Sequence, residues 1–216
     1  MAEVIGLGEL LGRIGPGVTL VAVSKQQGPE KIEALYREGQ RIFGENYVQE
    51  LLGKWQELHG RLPGIEFHFI GRLQTNKVKA LIPAVSVIHS VDSVRLLREI
   101  GRRAAEAGKT IRVYFQVNID DEESKGGFPP GSLAELYGVL RECPSVRALG
   151  LMCIPDPERD PVSAFRRMVK LSQEHGTELG KGLSMGMSGD FETAIQEGST
   201  VIRVGSLLFG ERVRPS

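Results

Sequence analysis

Lys25 is the residue whose position in this sequence points most directly to covalent chemistry. It follows residues 19–24 (TLVAVS), an apolar run typical of a buried strand. Burial around a lysine disfavours its ammonium form, and the neutral amine is the form that attacks an aldehyde. Lys25 is therefore a candidate for forming a Schiff base. Taken alone, a lysine that lies along the surface and reaches solvent is the simpler interpretation.

A second group of residues favours the chemical interpretation. Residues 185–190 (MGMSGD) and 203–206 (RVGS) each end a predicted strand and combine glycine with a serine hydroxyl. Small residues let a ligand approach the backbone, and a helix that starts after such a loop offers free N–H groups. Ser188, Gly205 and Ser206 together therefore predict a phosphate site. The alternative is that Ser188 only caps a helix and that Gly205 only makes a turn.

These residues are positioned by the predicted secondary structure. Short β-rich runs alternate with amphipathic helical patterns along the sequence. Such alternation predicts parallel strands, because each helix provides the crossover between neighbours. Eight units in 216 residues favour one α/β domain over residues 1–216, a (β/α)8 TIM-type barrel with an extra N-terminal helix. An open doubly wound sheet is the alternative. The predicted strands are residues 19–24, 41–43, 66–70, 85–89, 111–117, 146–151, 182–186 and 200–204, and the predicted helices are residues 3–14, 29–38, 46–58, 92–107, 132–141, 161–175 and 190–197.

The barrel hypothesis strengthens the case for a phosphate site. Loops after the seventh and eighth strands are where this fold most often binds phosphate, and the two serine-bearing loops occupy these places. The irregular residues 120–131 (DDEESKGGFPPG) are predicted to form a long loop after the fifth strand. We expect its acidic run, residues 120–123, to be solvated rather than to bind a metal.

Composition and charge exclude other classes of protein. Lysine plus arginine and aspartate plus glutamate number 27 each, so a formal net charge of zero argues against bulk attraction to nucleic acid or an anionic membrane. Cys143 and Cys153 are too few for a disulfide framework and are predicted to be buried and reduced. The sequence shows neither a signal peptide nor a membrane span, so we expect a cytoplasmic protein.

The four histidines lack the spacing of a metal site, and no metal is predicted. His68 and His89 lie in predicted strands, where we expect them in the barrel interior or at its rim with a structural role.

Several motifs, in order along nearly the whole chain, resemble those of the YggS/PROSC-type pyridoxal 5′-phosphate (PLP) homeostasis proteins. They are VAVSK (21–25), IFGENYVQEL (42–51), FHFIGRLQTNK (67–77), SKGGF (124–128), LSMGMSGD (183–190) and IRVGSLLFGER (202–212). One departure is Gly126, where the family more often has serine.

The resemblance implies a fold similar to the barrel domain of alanine racemase, with PLP held as an internal aldimine on Lys25. It also implies that Arg203 faces the pyridine nitrogen and that Asn46 lies near the cofactor. The expected cofactor-binding residues are Lys25, Asn46, Met187, Ser188, Arg203, Gly205 and Ser206.

These expectations favour a carrier or buffer of PLP over a robust enzyme. Arg203 can only donate hydrogen bonds, so it disfavours protonation of the pyridine nitrogen and weakens PLP as an electron sink. The chain stops at Ser216, soon after the eighth strand, so we expect no second domain to supply a second catalytic base.

We therefore expect no catalytic residues, a monomer, and apo PLP-dependent enzymes as candidate partners. The alternative is a small fold-type III PLP enzyme such as an amino-acid racemase. A protein- or RNA-interaction module is a third hypothesis, and the absence of interleaved aromatic and basic residues argues against RNA.

Overall fold

A computed structural model describes residues 4–121 and 126–210. Their eight strands form one parallel sheet in the order β1 to β8, and β8 pairs with β1 to close the barrel. The predicted (β/α)8 barrel is confirmed, and the open sheet is wrong. The strands are β1 (Thr19–Val23), β2 (Ile42–Glu45), β3 (Glu66–Phe69), β4 (Val87–Val91), β5 (Ile111–Gln116), β6 (Val146–Met152), β7 (Gly182–Ser184) and β8 (Val201–Val204).

The helices of the described residues pack around the barrel. They are α1 (Leu7–Ile14), α2 (Pro29–Arg37), α3 (Val48–Leu58), α4 (Val78–Leu81), α5 (Val94–Glu106), α6 (Leu136–Glu142), α7 (Pro161–Leu179), α8 (Phe191–Gln196) and α9 (Ser206–Phe209), and two 3-10 helices span Thr75–Lys77 and Pro130–Glu135. The sequence patterns predict seven of them and miss α4 and α9. Each of these two has four residues, which is too short to show a helical period.

The predicted extra helix is α1, which lies against α8. Arg13 pairs with Glu192 at 3.0 Å and its guanidinium lies 5.2 Å from the centre of the Phe191 ring. The amide of Ile5 donates to the carbonyl of Leu207 at 2.9 Å. The N-terminal segment therefore contacts the helices that follow the last two strands.

The main apolar core lies between the barrel and its helices, where large side chains such as Phe43, Phe69 and Phe165 are fully buried. A smaller cluster contains Val21, Val87, Tyr114, Met152 and Val201. Burial of this core provides the main driving force for folding. No helix among the described residues is both long and apolar enough to cross a bilayer.

The predicted loop over residues 120–131 is only partly irregular. Phe128 exchanges backbone hydrogen bonds with Gln116 and Asn118 at 2.7 and 3.0 Å, which ties the segment to the end of β5. The side chain of Asp120 is only 6% exposed and pairs with Arg167 at 2.7 Å. The prediction of a solvated acidic run is therefore wrong for Asp120, because a long-range ion pair buries it. Residues 122–125 lie outside the described residues, so the prediction is untested for Glu122 and Glu123.

Candidate functional site

A cavity of about 300 Å³ opens at the carboxyl ends of the strands. This is the end of an α/β barrel where functional groups collect, because the βα loops meet there. All seven residues predicted as cofactor-binding line the cavity, together with four that were not predicted. The predicted group is Lys25, Asn46, Met187, Ser188, Arg203, Gly205 and Ser206, and the additional group is Val23, Ile70, Ile154 and Gly189.

Closure of the barrel brings the first and last strands of the chain together at this cavity. In the β1–β8 register, Val21 pairs with Arg203 and Ala22 with Val204. Lys25 follows β1 and Gly205 follows β8, so the two residues emerge from neighbouring strands. A Cβ atom at Gly205 would lie 3.1 Å from the carbonyl oxygen of Val23, a tight contact that glycine avoids.

Ser188 connects the two predicted phosphate loops. Its hydroxyl accepts a hydrogen bond from the amide of Gly205 at 3.3 Å, which joins the loop after β7 to the loop after β8. The residue before α8 is Asp190, whose carboxylate accepts from the amide of Met187 at 2.6 Å. The alternative that Ser188 is only a helix cap is therefore wrong.

Arg203 forms part of the cavity wall although the whole residue is only 4% exposed. Its Nη1 donates to both the carbonyl and the hydroxyl oxygen of Ser184 at 2.7 Å, and its Nη2 donates to the carbonyl of Cys153 at 2.9 Å. These acceptors are neutral, and no carboxylate of the described residues forms a salt bridge with Arg203. Burial lowers the pKa of this guanidinium, whereas the negative charge of Asp190 opposes that shift. A cation buried in this way favours an electron-rich ligand.

Asn46 places a side-chain amide in the cavity wall. Its Oδ1 atom is buried and has no hydrogen-bond partner among the described residues. Gly71 packs against the backbone of Asn46 so closely that a Cβ atom there would lie 2.1 Å from the Asn46 carbonyl oxygen. The glycine of the FHFIGRLQTNK motif therefore allows the close packing against Asn46.

A buried polar network beneath Lys25 was not predicted. The ammonium of Lys54 donates to the carbonyl of Ser24 at 2.6 Å, to Glu45 at 2.7 Å and to Glu50 at 2.6 Å. The hydroxyl of Ser24 also donates to Glu45 at 2.6 Å. Burial raises the pKa of Glu45, and the nearby Lys54 opposes that shift. This network fixes the backbone of the residue immediately before Lys25.

One sequence signal could have revealed this network. Leu51, Lys54 and Leu58 are the buried residues of α3, so Lys54 occupies a position on the apolar face of the helix. A lysine on that face is seldom buried without a partner.

The comparisons with known proteins agree with this geometry. The family described as "Alanine racemase, N-terminal domain" matches residues 8–213. A protein of Aquifex aeolicus named "Pyridoxal phosphate homeostasis protein" is 44% identical over 210 residues, which covers 94% of this chain and 91% of that protein.

Solved structures show the same relationship. PipY of Synechococcus elongatus, solved without PLP, is 36% identical with a TM-score of 0.89 over 94% of this chain and 98% of its own. The structure of PipY with PLP bound gives 34% identity and a TM-score of 0.86 over the same shares of the two chains. Alanine racemase of Clostridium difficile is 15% identical with a TM-score of 0.75, over 97% of this chain and 56% of that chain, and this likeness concerns the fold. By sequence and by fold, the chain belongs to the family of pyridoxal phosphate homeostasis proteins, which share the alanine racemase N-terminal domain.

Proposed function

We propose that this chain binds PLP in the cavity at the carboxyl ends of the strands, bonds it covalently to Lys25, and serves in PLP homeostasis as a carrier or buffer. The observation that carries the proposal is the lining of the cavity. Two cationic side chains, Lys25 and Arg203, share it with the hydroxyls of Ser188 and Ser206, and no carboxylate occurs among the described residues of the lining. An aldehyde that bears a phosphate matches this set of groups.

The residues present fit this cofactor. The cavity volume of about 300 Å³ is at the lower end of the range for small-molecule sites. Ser188 and Gly205 meet where two loops join, which suits the phosphate. We assign Lys25, Asn46, Met187, Ser188, Arg203, Gly205 and Ser206 to cofactor binding.

The residues that line the cavity favour holding PLP over catalysing a reaction with it. When bound, PLP supplies a reactive aldehyde and an electron-withdrawing ring. Arg203 presents a charged donor that cannot accept a proton from the ring. None of the described residues that line the cavity is a histidine, tyrosine, cysteine, aspartate or glutamate, which leaves Lys25 as their candidate for proton transfer.

An accessible cavity suits a carrier. Ile154 and Met187, which line the cavity, are 37% and 39% exposed. The relatives' name, pyridoxal phosphate homeostasis protein, supports the same role. We further propose that the protein is a cytoplasmic monomer that passes PLP to apo PLP-dependent enzymes. The two free, buried cysteines fit a reducing compartment.

Absorbance of the purified protein loaded with PLP tests the proposal. We expect a band near ~420 nm that borohydride removes, with the reduced adduct mapped to Lys25 by mass spectrometry. Lys25→Ala should lose both the band and the adduct, whereas Lys79→Ala, at an exposed site on α4, should keep both. An adduct mapped to Lys54, or a Lys25→Ala variant with an unchanged band, would contradict the assignment.

A small amino-acid racemase is the second candidate, favoured by the fold shared with alanine racemase. The measurement is exchange of the α-proton of D- and L-alanine with solvent deuterium in the presence of the PLP-loaded protein. The carrier proposal predicts slow or undetectable exchange. Exchange at an enzyme-like rate that depends on Lys25 would establish the racemase instead.

A further inference from the structure

A chain of polar side chains crosses the barrel interior from Arg203 to Glu66. Arg203 Nη1 lies 2.7 Å from the hydroxyl of Ser184, which lies 2.8 Å from Nδ1 of His89. Nε2 of His89 is 2.9 Å from Nδ1 of His68, and Nε2 of His68 is 3.8 Å from a carboxylate oxygen of Glu66. Four strands, β4 to β7, lie between β3 and β8 in the sequence, and closure of the barrel brings these side chains together across its interior.

The hydrogen bonds that connect these side chains all run from donor to acceptor in the same direction, from Arg203 toward Glu66. A guanidinium can only donate, so the Ser184 oxygen accepts from Arg203. The hydroxyl hydrogen of Ser184 is then free to donate to Nδ1 of His89. An imidazole that accepts at Nδ1 carries its hydrogen on Nε2, so His89 donates to Nδ1 of His68. By the same rule, His68 carries its hydrogen on Nε2.

Electrostatics at the two ends favours this direction over its reverse. Glu66 pairs with Arg112, and the neighbouring His68 and Arg112 lower the pKa of Glu66 to about 2. An ionised carboxylate attracts the Nε2–H of His68 and repels a bare nitrogen lone pair. At the other end, the guanidinium of Arg203 attracts a lone pair of the Ser184 oxygen. If all the hydrogen bonds ran in the opposite direction, Nε2 of His68 would carry no hydrogen, and its lone pair would face the Glu66 carboxylate.

Both imidazoles are surrounded by groups that keep them neutral. Burial lowers the pKa of His68 and of His89. The aromatic ring of Tyr114 stacks on His89 with a centroid distance of 4.7 Å. Arg112 and Arg203 oppose a further positive charge, and although Glu66 raises the pKa of His68, the effect of burial is larger. The hydrogen-bond directions require neutral imidazoles, because each ring accepts at Nδ1 and an imidazolium has no nitrogen that can accept.

We propose that His89 and Ser184, supported by His68, are positioning residues for Arg203, with both histidines held as Nε2–H tautomers. This inference rests on the proposed function, because Arg203 matters here as a wall of the PLP site. Because the Ser184 hydroxyl donates its hydrogen to His89, its oxygen accepts a hydrogen bond from Arg203. Together with the carbonyls of Ser184 and Cys153, it engages three N–H groups of the guanidinium. These three acceptors leave two of the five guanidinium N–H groups without one of them as partner, and Arg203 itself lines the cavity.

The tautomers are measured directly by ¹⁵N NMR of the histidines in the unmodified, full chain without PLP. We expect His68 and His89 each to show a protonated Nε2 and an unprotonated Nδ1 at pH 7.5. A protonated Nδ1 on His89 would overturn the proposal. This measurement does not depend on whether any variant folds or whether the protein binds PLP.

Two variants at His89 test the role in cofactor binding. His89→Leu removes the acceptor for the Ser184 hydroxyl and should weaken PLP binding about tenfold and shift the absorbance maximum. His89→Asn keeps an acceptor near the position of Nδ1 and should restore most of the affinity. Ser184→Ala should resemble His89→Leu, whereas Ser172→Ala, a buried serine bonded to the carbonyl of Lys181, should match the parent protein.

The outcomes separate the two proposals. If the parent protein fails to bind PLP, the proposed function fails while the tautomers remain as expected. If the parent protein binds PLP and His89→Leu binds it with the same affinity and spectrum, the positioning role fails alone.

Discussion

The ammonium of Lys54 lies 2.6 Å from the carbonyl oxygen of Ser24, the residue that directly precedes Lys25. The same ammonium binds the fully buried Glu45 at 2.7 Å. A cation on one helix therefore fixes the end of β1 from which the proposed PLP lysine emerges. The position of Lys25 depends on this second lysine, which lies outside the cavity lining.

Lys54→Met should destabilise the protein by about 3–5 kcal/mol, because it leaves the buried Glu45 carboxylate without its counter-ion. Urea unfolding monitored by circular dichroism measures the change. Much of the loss should return in the double variant Lys54→Met/Glu45→Gln, in which neither charge remains.

The matched control is Lys79→Met at an exposed position, which should change the stability by less than about 0.5 kcal/mol. Equal stabilities of Lys54→Met and Lys79→Met would show that the network contributes nothing.

Ser188→Ala should weaken binding of PLP about tenfold while leaving binding of pyridoxal unchanged. The reason is that the Ser188 hydroxyl lies where the two proposed phosphate loops meet, and pyridoxal has no phosphate. Equilibrium titration of both ligands measures the difference, with Ser172→Ala as the control. An equal loss for both ligands would place the phosphate elsewhere.

Gly186→Ala should destabilise the protein by about 1–3 kcal/mol and weaken PLP binding. Gly186 has a φ of +92°, and a Cβ atom there would lie 2.6 Å from the Cβ of Ala194, so α8 and the loop before it must shift. The control is Gly12→Ala within α1, where no atom lies within 4 Å of the added carbon. That control should stabilise the protein by about 0.5–1 kcal/mol, because alanine favours helix more than glycine does.

Stability should fall as the pH decreases below about 6.5, the ordinary histidine pKa. The pKa values of His68 and His89 are lowered in the folded state. Below that pH the unfolded chain therefore binds more protons than the folded protein, and the free energy of unfolding decreases. Each histidine contributes a slope of up to about 1.4 kcal/mol per pH unit.

Urea unfolding at pH 7.5, 6.5 and 5.5 measures this slope. His89→Asn should reduce it, since one buried imidazole is gone, whereas Ser172→Ala, which removes no titratable group, should leave it unchanged. A slope that is the same in the His89→Asn variant would contradict the effect assigned to burial.

The strands could be predicted because their apolar, β-branched residues occur in short runs between amphipathic segments. The bounds differ mainly at the ends, as for β4, which runs from Val87 to Val91 rather than over residues 85–89. His89 and Ser90 interrupt the apolar pattern there, and the buried hydrogen bonds that accommodate them are tertiary. Very short helices such as α9 leave no period to detect.

The cavity lining could be predicted largely from motifs at strand ends, whereas among the supporting residues only Lys54 has a sequence signal, its position on the apolar face of α3. Ser188 and Gly205 belong to glycine-containing loops that are visible in the sequence. Glu45, Lys54 and Ser184 act through partners on other strands or helices. Which polar residues pair inside a barrel depends on the register of neighbouring strands, and that register is set only when the sheet closes.

The β1–β8 pairing has a consequence for synthesis of the protein. Lys25 leaves the ribosome well before Arg203 and Gly205. Until β8 has emerged and paired with β1, the barrel is open and the loop that contains Gly205 is not held beside Lys25. The cavity proposed to hold PLP therefore forms only after the eighth strand has been synthesised.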